Sequence, residues 1–275
     1  MPHLGEVLAA RRRAGEPSLL VYMMAGSVPD ERFLATVEAL DKAGVAGLEL
    51  GFPFSDPMAE GPVIQRAASD ALGRGFHWAD LLRLLSSASA RLPCAVMTYL
   101  NPIVQRGEVT ALRELHEAGG SALILPDLPV ETVAPFRSAR KTSRVDTVLL
   151  ASPATQPDRL AALVRRTEGF LYLVSRYGTT GAGGGQTPST QGKEAELRPI
   201  LERAHALRPR LPVLVGFGVS TPEDAQRHVA AGADGVVVGS AVQSRLSNGR
   251  SPEEIGAFVQ GLVSGIRSAV PGSTP

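Results

Sequence analysis

The sequence predicts an α/β chain folded as a single (β/α)8 TIM barrel with an extra N-terminal helix, one domain over residues 1–275. Three observations predict it. Eight short β-rich runs alternate with helical segments along the chain. Several of these runs are apolar nearly throughout, as strands are when both faces of a parallel sheet are covered. A helix end, an Ala-Gly or Gly-Gly turn and a strand recur in KAGVAGLELG, EAGGSALILP and AAGADGVVVG. An open doubly wound sheet would share the alternation, but the even spacing leaves no obvious second domain and favours closure.

The elements follow in order. Residues 1–17 carry the N-terminal helix, and LLVYMM (19–24) is the first strand. Pro29-Asp30-Glu31 opens a helix whose Phe33, Leu34, Val37 and Leu40 share one apolar face. AGLELG (46–51), CAVMTY (94–99), SALIL (121–125) and DTVLL (146–150) are the next strands. FLYLV (170–174), PVLVG (212–216) and DGVVVG (234–239) complete the set. Thr221 is an N-cap, with Pro222 at the first helical position and Asp224 closing the box. Ser251, Pro252 and Glu254 repeat that box, and Ile255, Phe258, Val259 and Leu262 follow on one face. Gly44, Gly119 and Gly232 suit the left-handed residue that ends a helix. Residues 270–275 read as a disordered tail.

Composition narrows the function. The net charge of +1 gives no electrostatic case for nucleic acid or an anionic membrane as partner. One cysteine, Cys94, excludes an internal disulfide and any Cys-based zinc site. The start lacks a long apolar h-region, and no stretch approaches the roughly 20 apolar residues of a membrane span. These features fit a cytoplasmic protein.

The stretch LELGFPFSDPMAEGP (48–62) places Glu49 between two strand leucines. An unpaired buried charge is costly, so such a group is paired, lines a cavity, or is functional. In a barrel strand, alternate side chains face the helices and the barrel axis. Leu48 and Leu50 then face outward and Glu49 inward, toward the C-terminal mouth where active sites of this fold sit. The same parity turns Tyr22, Tyr99, Phe170 and Tyr172 inward. Asp56 stands in FSDP as a turn former or interface residue, and Glu60, before Gly61-Pro62, reads on pattern alone as solvated.

Glycine-rich stretches follow the later strands: TTGAGGG (179–185), GFGVS (216–220) and GSAV (239–242). Phosphate sites in this fold often use the loops after strands 7 and 8. GFGVS and GSAV contain no lysine or arginine, so the expected phosphate contacts are backbone amides and the Ser240 hydroxyl. His3, His77, His116, His205 and His228 show no metal-ligand spacing, no G-x-S-x-G elbow occurs, and no strand carries an inward lysine. Acid–base chemistry without metal or cofactor is the economical reading.

LELGFPFSDPMAEGPVIQRA resembles the signature of the tryptophan synthase alpha subunit family. The similarity continues through MTYLNPI, PDLPVET, YLVSRYGTTGA, GFGVSTPEDA and GADGVVVGSAV, in order and over almost the whole chain. The resemblance implies cleavage of indole-3-glycerol phosphate to indole and glyceraldehyde 3-phosphate, with no cofactor on this chain. It implies catalytic roles for Glu49, Glu60 and Tyr172, and substrate contacts from Tyr22, Tyr99, Arg176 and Thr180. Gly181, Phe217, Gly218, Gly239 and Ser240 match the family's phosphate contacts. Pro53 and Asp56 match loop positions near its partner, a pyridoxal-phosphate β subunit in an α2β2 assembly. The family's second acid is an aspartate in Ala-Asp-Gly-Pro; here Glu60 keeps the charge and adds one methylene of reach, about 1.5 Å. Met24 and Ser27 are further pocket-side differences from the usual threonine and aspartate, and AGGGQTPSTQ is an atypical closing loop. A stand-alone lyase, a regulatory α-type subunit that activates a β partner, and a lyase for a related phosphorylated aldol are the alternatives to the paired enzyme.

Overall fold

A computed structural model of the chain describes residues 2–175 and 190–269, leaving aside the side chains of residues 190–196. Eight parallel strands close in sequence order, with β1 hydrogen-bonded to both β2 and β8. They are β1 (Ser18–Met24), β2 (Gly47–Gly51), β3 (Cys94–Met97), β4 (Gly120–Ile124), β5 (Asp146–Ala151), β6 (Leu171–Val174), β7 (Val213–Gly216) and β8 (Gly235–Val238). Helix α1 (Leu4–Arg13) precedes the barrel and α2 (Asp30–Lys42) follows β1. α3 (Pro62–Gly73) and α4 (Trp78–Ser89) follow β2, and α5 (Leu100–Arg106) and α6 (Glu108–Glu117) follow β3. α7 (Ala134–Ser143), α8 (Pro157–Arg166), α9 (Thr190–Leu207) and α10 (Pro222–Ala230) continue the alternation, and α11 (Ser240–Ser247) and α12 (Pro252–Ser268) end it.

The alternation of side chains across each strand divides the apolar interior in two. The larger cluster lies between strands and helices and holds Leu19, Val21, Leu48, Leu50, Leu171 and Leu173. The smaller lies inside the barrel and holds Leu20, Tyr22, Phe170 and Tyr172. The expected parity therefore holds on β1, β2 and β6. Leu4 and Leu8 of α1 join the inner cluster, and the Leu4 amide donates to Ser121 Oγ at the start of β4. Helix α1 thus closes the N-terminal end of the barrel.

Local signals account for the helix ends. Thr221 caps α10 by accepting from the Asp224 amide, and Ser251 caps α12 by accepting from the Glu254 amide. Gly44, Gly119 and Gly232 carry φ of 82°, 87° and 110° just beyond helix ends. Thr221→Ala removes one cap and is expected to cost about 1 kcal/mol, read as a lower midpoint in urea unfolding. β3 stops at Met97, so Tyr99 lies beyond the strand, at the N-cap of α5. There, strand parity no longer directs it. No helix among the described residues is long and apolar enough to cross a membrane.

Candidate active site

A cavity of about 300 Å³ opens at the C-terminal mouth of the barrel. Tyr22, Glu49, Met97, Tyr172 and Val237 form its floor from the strands, and Glu60 to Ile64 form one wall. Phe217, Gly218, Ser220, Gly239 and Ser240 form the other. No lysine or arginine is among the described lining residues.

Glu49 sits in the middle of β2, in register with Tyr22 on one side and Ala95 on the other. It is fully buried, and neither carboxyl oxygen has a hydrogen-bond partner among the described residues. Burial, and to a lesser degree the nearby Glu60, pushes its pKa up to about 8. Charge without a partner in an apolar wall favours the neutral acid. Glu49 is therefore a proton donor at neutral pH, and its conjugate base is an equally unencumbered acceptor.

Glu60 is buried as well, contrary to its solvated look in the sequence. Burial raises its pKa, while the hydrogen bond from Tyr99 and backbone amides pull the other way. Tyr99 Oη donates to Glu60 Oε2 and accepts from the Ala59 amide at 2.8 Å. Phe54 stacks on the Tyr99 ring at 5.0 Å between centroids. Tyr99 is not among the residues lining the cavity; it stands behind Glu60 and fixes it. Tyr99→Phe removes a donor to the ionised form, so Glu60 is expected to titrate at higher pH than in the wild type. Carbon-13 NMR of labelled glutamate carboxyls reads that shift.

Two glycines make room for the two tyrosines. A Cβ at Gly51 would collide with the Tyr22 hydroxyl, and one at Gly216 with the Tyr172 ring. Tyr172 packs edge-on against Phe217 at 5.7 Å. Phe217 has φ of 63° and Gly218 of 104°, a left-handed turn directly after β7. Such a conformation at a non-glycine residue costs about 1–3 kcal/mol and persists where the surroundings hold it. Ser175 Oγ donates to the Phe217 carbonyl, and the Ser175 amide donates to Gly216 O at 3.0 Å. Gly239 caps α11, so the first amides of that helix, on Ser240 and Ala241, lack intrahelical acceptors. Turn and helix start together make an anion cradle of backbone amides.

Helix α11 is held by a buried carboxamide. Gln243 Oε1 accepts from the Met24 amide at 2.9 Å, and Nε2 donates to Ser27 Oγ at 3.0 Å and Ser247 Oγ at 3.1 Å. Ser27 Oγ in turn donates to the Met24 carbonyl at 2.8 Å. Met24 and Ser27, read from sequence as pocket-side, thus serve this tie and do not line the cavity.

Of the expected site residues, Glu49, Glu60, Tyr22, Tyr172, Phe217, Gly218, Gly239 and Ser240 meet at one cavity. Arg176, Thr180 and Gly181 lie outside the described residues. Pro53 is buried and Asp56 exposed, on the loop beside the mouth. Several contributions were missed, among them Val63, Ile64 and Ser220 of the walls. Met97 and Val237 line the floor, and parity on β3 and β8 would have found both. Asp127 accepts from the Leu100 amide at 2.9 Å, tying down the start of α5 next to Tyr99, and its charge raises the Glu60 pKa. Nothing in the local sequence signals that contact.

Comparison with known proteins places this geometry. The family model described as tryptophan synthase alpha chain matches residues 8–267. The chain is 37% identical over 267 residues to the tryptophan synthase alpha chain of Methanosarcina barkeri, covering 97% of this chain and 98% of that one. It is 40% identical over 264 residues to that of Phenylobacterium zucineum, covering 94% and 91%. Among solved structures, that of Mycobacterium tuberculosis tryptophan synthase superposes with a TM-score of 0.84 at 33% identity, covering 96% and 98%.

Proposed function

The chain belongs to the tryptophan synthase alpha chain family, and we propose that its mouth cavity carries out the family's lyase reaction with Glu49 as the proton carrier. The reaction cleaves indole-3-glycerol phosphate to indole and glyceraldehyde 3-phosphate. The observation that carries the assignment is the fully buried Glu49 carboxyl, without a partner among the described residues, in the same cavity as a cradle of backbone amides. The cradle takes the phosphate through the amides of Gly218 and α11 and the Ser240 hydroxyl. The apolar floor takes the indole ring.

Glu49 first gives its proton to indole C3, which leaves the ring as a cation with an electron-poor C2–N bond. The side-chain hydroxyl on the adjacent carbon then returns a proton to the Glu49 carboxylate. As its oxygen forms the carbonyl, the carbon–carbon bond breaks and its electron pair restores the neutral indole. The carboxyl ends in the state in which it began. One group beside both atoms serves both transfers. Glu60 stabilises the positive charge at the ring nitrogen in the intermediate. Tyr99 holds Glu60 in place, and Tyr172 walls the reacting carbon from water.

The loop from Pro53 to Glu60 and helix α3 share a second concavity that carries exposed apolar side chains, with Met58 69% exposed and Leu72 39%, beside Asp56. Exposed side chains of this kind gathered beside a cavity suit a protein partner. We assign that face, with Asp56, to a tryptophan synthase β subunit, which would take up the indole. Buried Pro53 shapes the loop from inside. The Cys94 thiol is buried and its pKa raised by desolvation, which leaves it inert.

The test is indole release from indole-3-glycerol phosphate by the purified chain, with and without a β subunit. Indole from the chain alone, accelerated by the partner, is the expected result. Activation of the partner without any cleavage would replace the lyase reading with a regulatory one.

A further inference from the structure

The barrel carries a second cavity at its opposite, N-terminal end, of about 580 Å³. It is lined by α1 from its N-cap His3 to Arg13, the end of α7, the start of β5, the turn before β6 and the loop between α9 and β7. Six permanent cations line it: Arg13, Arg140, Lys141, Arg144, Arg208 and Arg210. Glu6 and Asp146 of the lining oppose them, and Glu168 beside it reaches Arg140. The whole chain has a net charge of +1, so this local excess of three is a concentration and not a reflection of composition.

Part of that charge has a structural use. Arg140 pairs with Asp146 at 2.7 Å and with Glu168 at 3.4 Å. Arg208 donates to the Thr167 carbonyl at 3.0 Å and to Val164 O at 3.3 Å. Helix C-termini also attract cations, and α7 and α9 end here with about half a negative charge each, while α1 lines the cavity with both ends. Their sum is smaller than the excess. Arg13, Lys141, Arg144 and Arg210 have no side-chain partner among the described residues, and all four are exposed. Arg144 sits at φ of 57°, with its carbonyl bonded to His3 Nε2 at 2.9 Å. That turn anchors the residue in the left-handed region at the rim.

We propose that this cavity is a binding site for a small multivalent anion bearing a polyphosphate chain. The free cations come from three separate segments around one concavity. One phosphate carries too little charge to balance four free cations, whereas linked phosphates supply enough charge and acceptors for several charge-assisted hydrogen bonds. The mouth cavity works differently, holding one phosphate by neutral amides with no cation among its described lining residues.

The test is calorimetric titration of the full chain with inorganic tripolyphosphate at low and moderate salt. Saturable binding that weakens about tenfold or more with added salt is expected, since exposed charges are screened. Arg144→Asn with Arg210→Gln should weaken binding at least tenfold while indole release stays at the wild-type rate. Asparagine tolerates the left-handed backbone at that position. Should that pair not fold, Arg13→Gln with Lys141→Gln makes the same demand from the other side of the cavity. Equal affinity in wild type and folded variants would overturn the proposal. So would displacement by glycerol 3-phosphate, which would locate the anion at the mouth. Tighter binding of an acidic peptide than of tripolyphosphate would overturn it in favour of a protein partner.

Discussion

Glu49→Gln is expected to reduce indole release from indole-3-glycerol phosphate by roughly a thousandfold, within the range of about 10²–10⁴ that a positioned acid–base group contributes. Glutamine keeps the shape and the burial but neither gives nor takes the proton. The phosphate cradle is untouched, so glycerol 3-phosphate should bind as in the wild type. The wild-type rate should fall as pH rises through about 8, because the donor is the neutral acid. Stability follows the same group. The Glu49 pKa is raised on folding, so its contribution is fully present below the ordinary value of 4.5 and is lost as pH rises through about 8. Glutamine does not titrate. The variant should therefore gain melting temperature relative to the wild type as pH rises from about 4.5 to about 8, and hold that gain above it. Unchanged turnover would remove Glu49 from the chemistry.

Glu60→Gln should cost about a hundredfold in turnover, in line with the loss of one stabiliser of developing charge. It carries a second signature. The Glu60 charge helps to raise the Glu49 pKa, so its removal should move the alkaline limb of the rate profile to lower pH. A variant that merely disturbed packing would slow the reaction without moving that limb. Glu60→Asp shortens the reach by about 1.5 Å and withdraws the carboxyl from the Tyr99 hydroxyl. Because this pocket holds the longer side chain by a dedicated hydrogen bond, the aspartate variant should be slower, as read by initial rates.

Much of this was legible in the sequence, and the reasons are local. Leu48 and Leu50 fix the outward face of β2, and a period of two then turns Glu49 to the axis whatever the rest of the chain does. The boxes at Thr221 and Ser251 need only residues three apart, and both form. The environment of Glu60 was not legible, because its burial depends on Tyr99, 39 positions away and past the end of its strand. Gln243 looked like any polar helix residue, and its partners Met24 and Ser27 lie more than 200 positions upstream. The basic cavity joins α1 to segments near residues 140 and 210, which no sequence window contains together.

The tie from Gln243 has a consequence for which esters can react. It fastens the helix that receives the anion to the chain at the end of β1, whose Tyr22 is the lateral neighbour of Glu49. With the proposed phosphate cradle on that helix, phosphorus and proton donor would be held at opposite ends of a ruler of fixed length. A substrate shortened or lengthened by one carbon could dock its phosphate or present its ring, but not both at once.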